Sequence, residues 1–88
     1  MQETRKPIRL SGHAKQQLGF RCASEQDVVD TVRTSEWEKA GLERLECRKN
    51  FSFNGEWNGK FNATRQVRPI FLQEPFEIVV VTVYVYYF

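Results

Sequence analysis

Glu77-Ile78-Val79-Val80-Val81-Thr82-Val83-Tyr84-Val85-Tyr86-Tyr87-Phe88 is the stretch whose reading decides the fold. It is rich in Val and Tyr, whose branched or aromatic side chains suit the pleated surface of a strand. Successive side chains of a strand point to opposite faces. Val79, Val81, Val83, Val85 and Tyr87 therefore share one face, and their apolar character predicts burial. Ile78, Val80, Thr82, Tyr84, Tyr86 and Phe88 share the other, whose middle carries hydroxyls. Gln73-Glu74-Pro75 interrupts the pattern just upstream, and residues 61–72 form a second strand candidate. In it Val67 and Phe71 lie on one face, with Thr64, Gln66, Arg68 and Ile70 on the other. A turn centred on Pro75 pairs Arg68 with Thr82, Gln66 with Tyr84 and Thr64 with Tyr86, all on one sheet face. A slip of one residue would turn the two strands' faces against each other.

Working towards the N-terminus, residues 45–53 also alternate. Leu45, Cys47, Phe51 and Phe53 take one side, while Glu46, Arg48, Asn50 and Ser52 take the other; Lys49 breaks the pattern. Asn54-Gly55 and Asn58-Gly59 follow, two candidates for a tight type I′ hairpin turn, which needs φ > 0 at both central residues. Residues 35–45 show no clear periodicity. Ser24-x-x-Asp27 has the form of a capping box and opens a helix over residues 25–34, with Val28, Val29 and Val32 on one face. Glu25, Asp27 and Asp30 sit in its first turns, where the helix dipole favours acids. Ser11 is a good N-cap for a shorter helix over residues 13–20, with Ala14 and Leu18 one turn apart and Gly19 near its end. Residues 7–10 form a short extended segment, and residues 1–6 are polar and expected to be flexible. The order predicts one α+β domain over residues 7–88. In it two N-terminal helices pack on one face of a twisted antiparallel sheet, with Val28 and Val32 docked on the valine face.

The 88 residues are 41% hydrophobic and 14% aromatic, enough for a core, so a folded rather than a disordered chain is expected. A net charge of +2 is too small to diagnose a nucleic-acid partner, but its distribution is uneven. Residues 1–21 and 44–68 each carry +4, residues 22–43 carry −4, and the last twenty −2. Two basic segments thus flank an acidic one and form an anion site if they meet in space. Cys22 and Cys47 lie far apart, with no CxxC or His/Cys cluster, so no metal and no cofactor is expected. The polar opening has no apolar leader segment, and the apolar run over residues 78–88 is too short to cross a bilayer as a helix. The expectation is a cytoplasmic protein with no membrane partner and two reduced thiols.

The face bearing Thr64, Gln66, Arg68, Thr82, Tyr84 and Tyr86 is polar without being highly charged. Aromatic rings in such a setting stack bases, and arginine binds phosphate. The plain alternative is a solvated outer face whose tyrosines supply cross-strand packing. His13 is the one histidine, in the first turn of its helix beside Lys15. Histidine changes charge near neutral pH, which makes it a candidate general acid or base, or simply a surface residue.

Ile8-Arg9-Leu10-Ser11-Gly12-His13-Ala14 resembles the opening of the bacterial domain-of-unknown-function family 4258. The resemblance continues through Ala63-Thr64-Arg65-Gln66-Val67-Arg68-Pro69-Ile70-Phe71 and closes on Ile78-Val79-Val80-Val81-Thr82-Val83-Tyr84. It implies the RelE-like fold group, which also takes in barnase, EndoU and colicin nucleases and has many metal-independent ribonucleases and toxins. It implies RNA as a substrate and an antitoxin protein as a partner. It puts weight on His13, Arg68, Thr82 and Tyr84 as catalytic residues; Lys15, Thr64, Arg65, Gln66 and Tyr86 are then expected to lie against the RNA on the reading of the sheet face and the charges given above. Metal-independent cleavage needs a base for the 2′-OH, a cation for the developing charge and an acid for the 5′-oxygen. His13 would be acid or base, Arg68 with Lys15 or Arg65 the cation, Tyr84 a proton donor and Thr82 a phosphate ligand. A non-catalytic RNA- or protein-binding domain, and a structural protein dimerising through Tyr86, Tyr87 and Phe88, are the alternatives.

Overall fold

The computed structural model describes residues 6–21 and 23–88. In chain order the elements are β1 (Ile8–Leu10), α1 (Gly12–Arg21), α2 (Glu25–Thr34), β2 (Glu38–Gly41), β3 (Arg44–Glu46), β4 (Lys49–Trp57), β5 (Lys60–Gln73) and β6 (Ile78–Tyr87). The strands form one sheet in the order β1-β6-β5-β3-β2, and β4 pairs with β5 beside β3. β5 is the spine. One edge pairs with β6, and the other is shared end to end by β3, opposite Ile70 and Phe71, and β4, opposite residues 60–67. The fold is α+β, but its sheet is mixed, which corrects the antiparallel expectation. β1 runs parallel to β6, with the Ile78 amide donating to the Pro7 carbonyl and the Ser11 amide to that of Val80, both at 2.9 Å. A parallel pair needs a long crossover, and the intervening helices and hairpins supply it.

Both helices lie on one face of the sheet, α1 against β6 and β1, and α2 against β5. Ser11 caps α1, its Oγ accepting from the Ala14 amide at 3.1 Å, and Ala14 and Leu18 are buried. The capping box of α2 closes in both directions between Ser24 and Asp27, and Val28, Thr31 and Val32 are buried. Trp37 seals the end of α2. Its indole donates to the Val32 carbonyl at 2.8 Å, and its ring meets Phe71 edge-on at 5.0 Å. Leu10, Ala14, Leu18, Val28, Val32, Cys47, Val67, Phe71, Ile78, Val80 and Val83 make up the core.

Residues 1–5 lie outside the described residues, so a flexible opening is addressed only at Lys6. There the chain is tied: Nζ donates to the Glu74 carbonyl and Arg33 donates to the Lys6 carbonyl, each at 2.9 Å.

The valine face needs a correction. Ile70 pairs with Thr82 but Phe71 pairs with Val80, so Val81 is an extra residue, a β-bulge. The bulge breaks the alternation. Ile78 and Val80 are buried before it and Val83 after it, with Val85 packed against the core; Val79 and Val81 are only half-buried. Gln17 of α1 and its cap Ser11 bond to the strand at the bulge. Gln17 Oε1 accepts from the Val83 amide at 2.8 Å, and Ser11 Oγ donates to the Val81 carbonyl at 3.3 Å. Together with a loop over residues 74–77, the bulge shifts the expected register by two. Arg68 faces Tyr84, Gln66 faces Tyr86, and Thr64 exchanges backbone hydrogen bonds with Phe88. A shift of two keeps parity, so these residues stay on one face.

Of the two Asn-Gly dipeptides, Asn58-Gly59 makes the β4–β5 turn, with φ of 60° and 78° closed by Trp57 and Lys60. Asn54, at φ 46°, lies where the β4 register shifts. The β2–β3 turn reaches the same left-handed region without such help, holding Leu42 at φ 52° and Glu43 at φ 61°. That conformation costs an ordinary side chain about 1–2 kcal/mol per residue.

Candidate functional site

The face of the sheet turned away from the helices carries Arg68 at its centre. Arg68 donates to Glu46 Oε1 through Nε at 2.8 Å and Nη2 at 2.5 Å, and to Tyr86 Oη through Nη1 at 3.2 Å. Its guanidinium lies 5.3 Å from the Tyr84 ring centre. The hydrogen bonds to Glu46, largest of the influences, hold the guanidinium above its ordinary pKa, so it is a fixed cation. β3 places Glu46 opposite Ile70, two residues from Arg68 and so on the same face, which is why the pair meets across strands far apart in sequence. Arg48 approaches the other Glu46 oxygen at 3.9 Å.

The two tyrosines stand at alternate positions of β6, their rings nearly parallel at 14° with centres 6.5 Å apart. Both are partly exposed, Tyr84 at 38% and Tyr86 at 42%. Gln66 is tied to Asn50 Oδ1 at 3.0 Å on the neighbouring strand. Beside these groups, a cleft of about 260 Å³ is lined by Arg68, Ile70, Thr82 and Tyr84 of the central strands and by Leu42 and Arg44 of the β2–β3 hairpin.

Arg68, Thr82, Tyr84, Tyr86, Gln66 and Thr64 are therefore brought together on the open face. His13 and Lys15 are not part of that group; both are exposed on α1, which lies on the covered side. Arg65 also faces the helices. Its Nη2 pairs with Asp27 Oδ2 at 2.9 Å, and its guanidinium sits 5.3 Å from the Phe51 ring centre. The expected meeting of basic segments is thus replaced, for Arg65 with Asp27 and for Arg9 with Glu77, by pairing with acids. Glu46 and Arg44 belong to the site and were not among its expected members. Glu46 could have been found: the alternation of residues 45–53 places it with Asn50 and Ser52, whose side of the sheet is the open one.

Among the described residues no three His, Cys, Asp or Glu side chains gather to hold a metal, and no helix is long and apolar enough to cross a membrane. Cys47 is a free, buried thiol with Sγ 3.5 Å from the Thr31 carbonyl, while Cys22 lies outside the described residues. The chain matches no family model, no curated protein and no solved structure.

Proposed function

We propose that the open sheet face binds single-stranded RNA. The observation that carries this reading is the pair of near-parallel, part-exposed tyrosines beside a fixed arginine. Aromatic rings at alternate strand positions offer successive bases a stacking surface, and a guanidinium fixed beside them adds its own flat cationic face to that surface. The resemblance to family 4258 and the RelE-like group supports the same reading, as does the placement of both helices on the opposite face. A cytoplasmic site of action goes with it. The test is a fluorescence-anisotropy titration of a labelled decauridylate against a duplex of equal length. Tyr84→Ala and Tyr86→Ala should each weaken single-strand binding by about 1–3 kcal/mol. Equal affinity in both variants and wild type would remove the proposal.

Cleavage is a second reading, favoured by one observation: Arg68 is bracketed by a carboxylate, Glu46, and a phenol, Tyr86. These are a base, a cation and a proton donor, the kinds of group that metal-independent transesterification of RNA uses. In this reading Glu46 takes the acid–base role first expected of His13. Incubation with total RNA in EDTA should then show cleavage that survives His13→Ala and is lost in Glu46→Gln. Cleavage lost in His13→Ala alone would return the role to His13.

A further inference from the structure

We infer that the cleft beside the β2–β3 turn is a subsite for one phosphorylated nucleoside, with Arg44 as its phosphate ligand and Leu42 as its apolar cover. The choice of a nucleotide rests on the RNA-binding reading; the cleft itself does not. Its size, about 260 Å³, falls below the range usual for drug-sized ligands and admits one small unit. Its walls are of three kinds: the apolar Ile70 and the Tyr84 ring, the hydroxyl of Thr82, and guanidinium groups. A flat heterocycle joined to a single anion satisfies all three.

The two guanidinium groups are not equivalent. Arg68 is already engaged by Glu46 and Tyr86. Arg44 is exposed and makes no ion pair or side-chain hydrogen bond among the described residues, so it is the cation at liberty to take a phosphate. Leu42 is the second sign. It is 88% exposed and held at φ 52°, where glycine would sit without strain. A leucine there adds nothing to the core and works against the turn. An apolar contact at the cleft it lines gives that cost a purpose.

The test titrates uridine 5′-monophosphate, uridine and inorganic phosphate into the intact chain by calorimetry. It is run on wild type, Arg44→Ala and Leu42→Gly, with thermal melts of each. The monophosphate should bind more tightly than either fragment. Arg44→Ala should lose about tenfold, the worth of one charge-assisted hydrogen bond. Leu42→Gly should melt higher, its strain relieved, yet bind several-fold more weakly, a split that a purely structural leucine does not produce. Monophosphate affinity unchanged in both variants would overturn the subsite. So would decauridylate binding that depends on Tyr84 with no monophosphate binding at all, which would leave the RNA-binding reading intact. Monophosphate binding that needs Arg44, without decauridylate binding, would overturn the RNA reading and keep the subsite. A wild-type dimer that dissociates on Leu42→Gly, without nucleotide binding, would assign the turn to a second copy and reject the subsite.

Discussion

Arg65 and Arg68 stand three residues apart on β5 and belong to opposite worlds. Arg65 points under the helices, pairs with the capping Asp27 of α2 and lies beside Phe51. Arg68 points away, pairs with Glu46 and is flanked by two tyrosines. The same side chain thus anchors a helix on one face and organises a polar surface on the other. What decides between the roles is parity along the strand, not residue type. The covered face is stabilised by removing apolar surface from water. On the open face the polar groups satisfy one another around a single cation.

The largest effect should separate the faces directly. Phe71 is fully buried and packed by Trp37, so Phe71→Ala should cost about 3–5 kcal/mol through lost transfer energy and a residual cavity. Tyr84→Ala, on the open face, should cost under about 1 kcal/mol, as surface substitutions do. Urea midpoints of the two variants measure both. Similar midpoints would mean that the open face also carries part of the core, and the division between stability and recognition would fail.

The same division explains what could be read from sequence. Helix α2 was legible to the residue because its start is chemical: Ser24 and Asp27 satisfy each other's orphan donors, and nothing distant is needed. β5 and β6 were legible from composition and alternation. The identity of the buried valines was not, because a bulge leaves no local mark. Val79-Val80-Val81 is apolar at every position, so nothing in it shows where the alternation is interrupted. The bonds that meet the strand at the bulge come from Ser11 and Gln17, about seventy residues away, which no local pattern announces. The open face survived that error because the register moved by two. Glu46 escaped notice as a partner of Arg68 because their meeting depends on β3 lying beside β5. The β2–β3 turn escaped because Leu42-Glu43 has none of the residues that usually make such turns.

The bulge is therefore the next place to test the comparison, with a smaller effect. The Val83 amide is bonded to Gln17 Oε1 at 2.8 Å at the border of core and bulge. Gln17→Ala should leave that donor unsatisfied and cost about 1–3 kcal/mol. Gln16→Ala, its exposed neighbour on α1, should change stability by less than about 0.5 kcal/mol. Denaturation of the two proteins in parallel measures the difference. Equal midpoints would mean that the bulged strand holds its shape without the helix, and that the exchange of buried residues along β6 is a property of the strand alone.

The smallest effect lies where the two faces touch in sequence. Glu46 belongs to the open face, and its neighbour Cys47 is 2% exposed in the core. Burial, with a lesser contribution from the Glu46 charge, pushes the Cys47 thiol up from 9.0 to about 12. A thiol whose pKa is higher folded than unfolded keeps its proton in the native state while the unfolded chain loses it. The stability it contributes is complete below about pH 9 and declines as pH rises from there towards 12. At pH 10 the loss should be about 1 kcal/mol, one unit above the unfolded value. Urea midpoints of wild type and Cys47→Ala at pH 8 and pH 10 isolate it, because titration of the lysines, tyrosines and Cys22 is common to both proteins. The alanine variant should start less stable at pH 8 and close about 1 kcal/mol of that gap by pH 10. In the Glu46→Gln background the gap should close slightly less, since removing the open-face charge lowers the native thiol's pKa towards its unfolded value. Parallel decline of both proteins would place the thiol in contact with water and move Cys47 from the covered face to the boundary between the two.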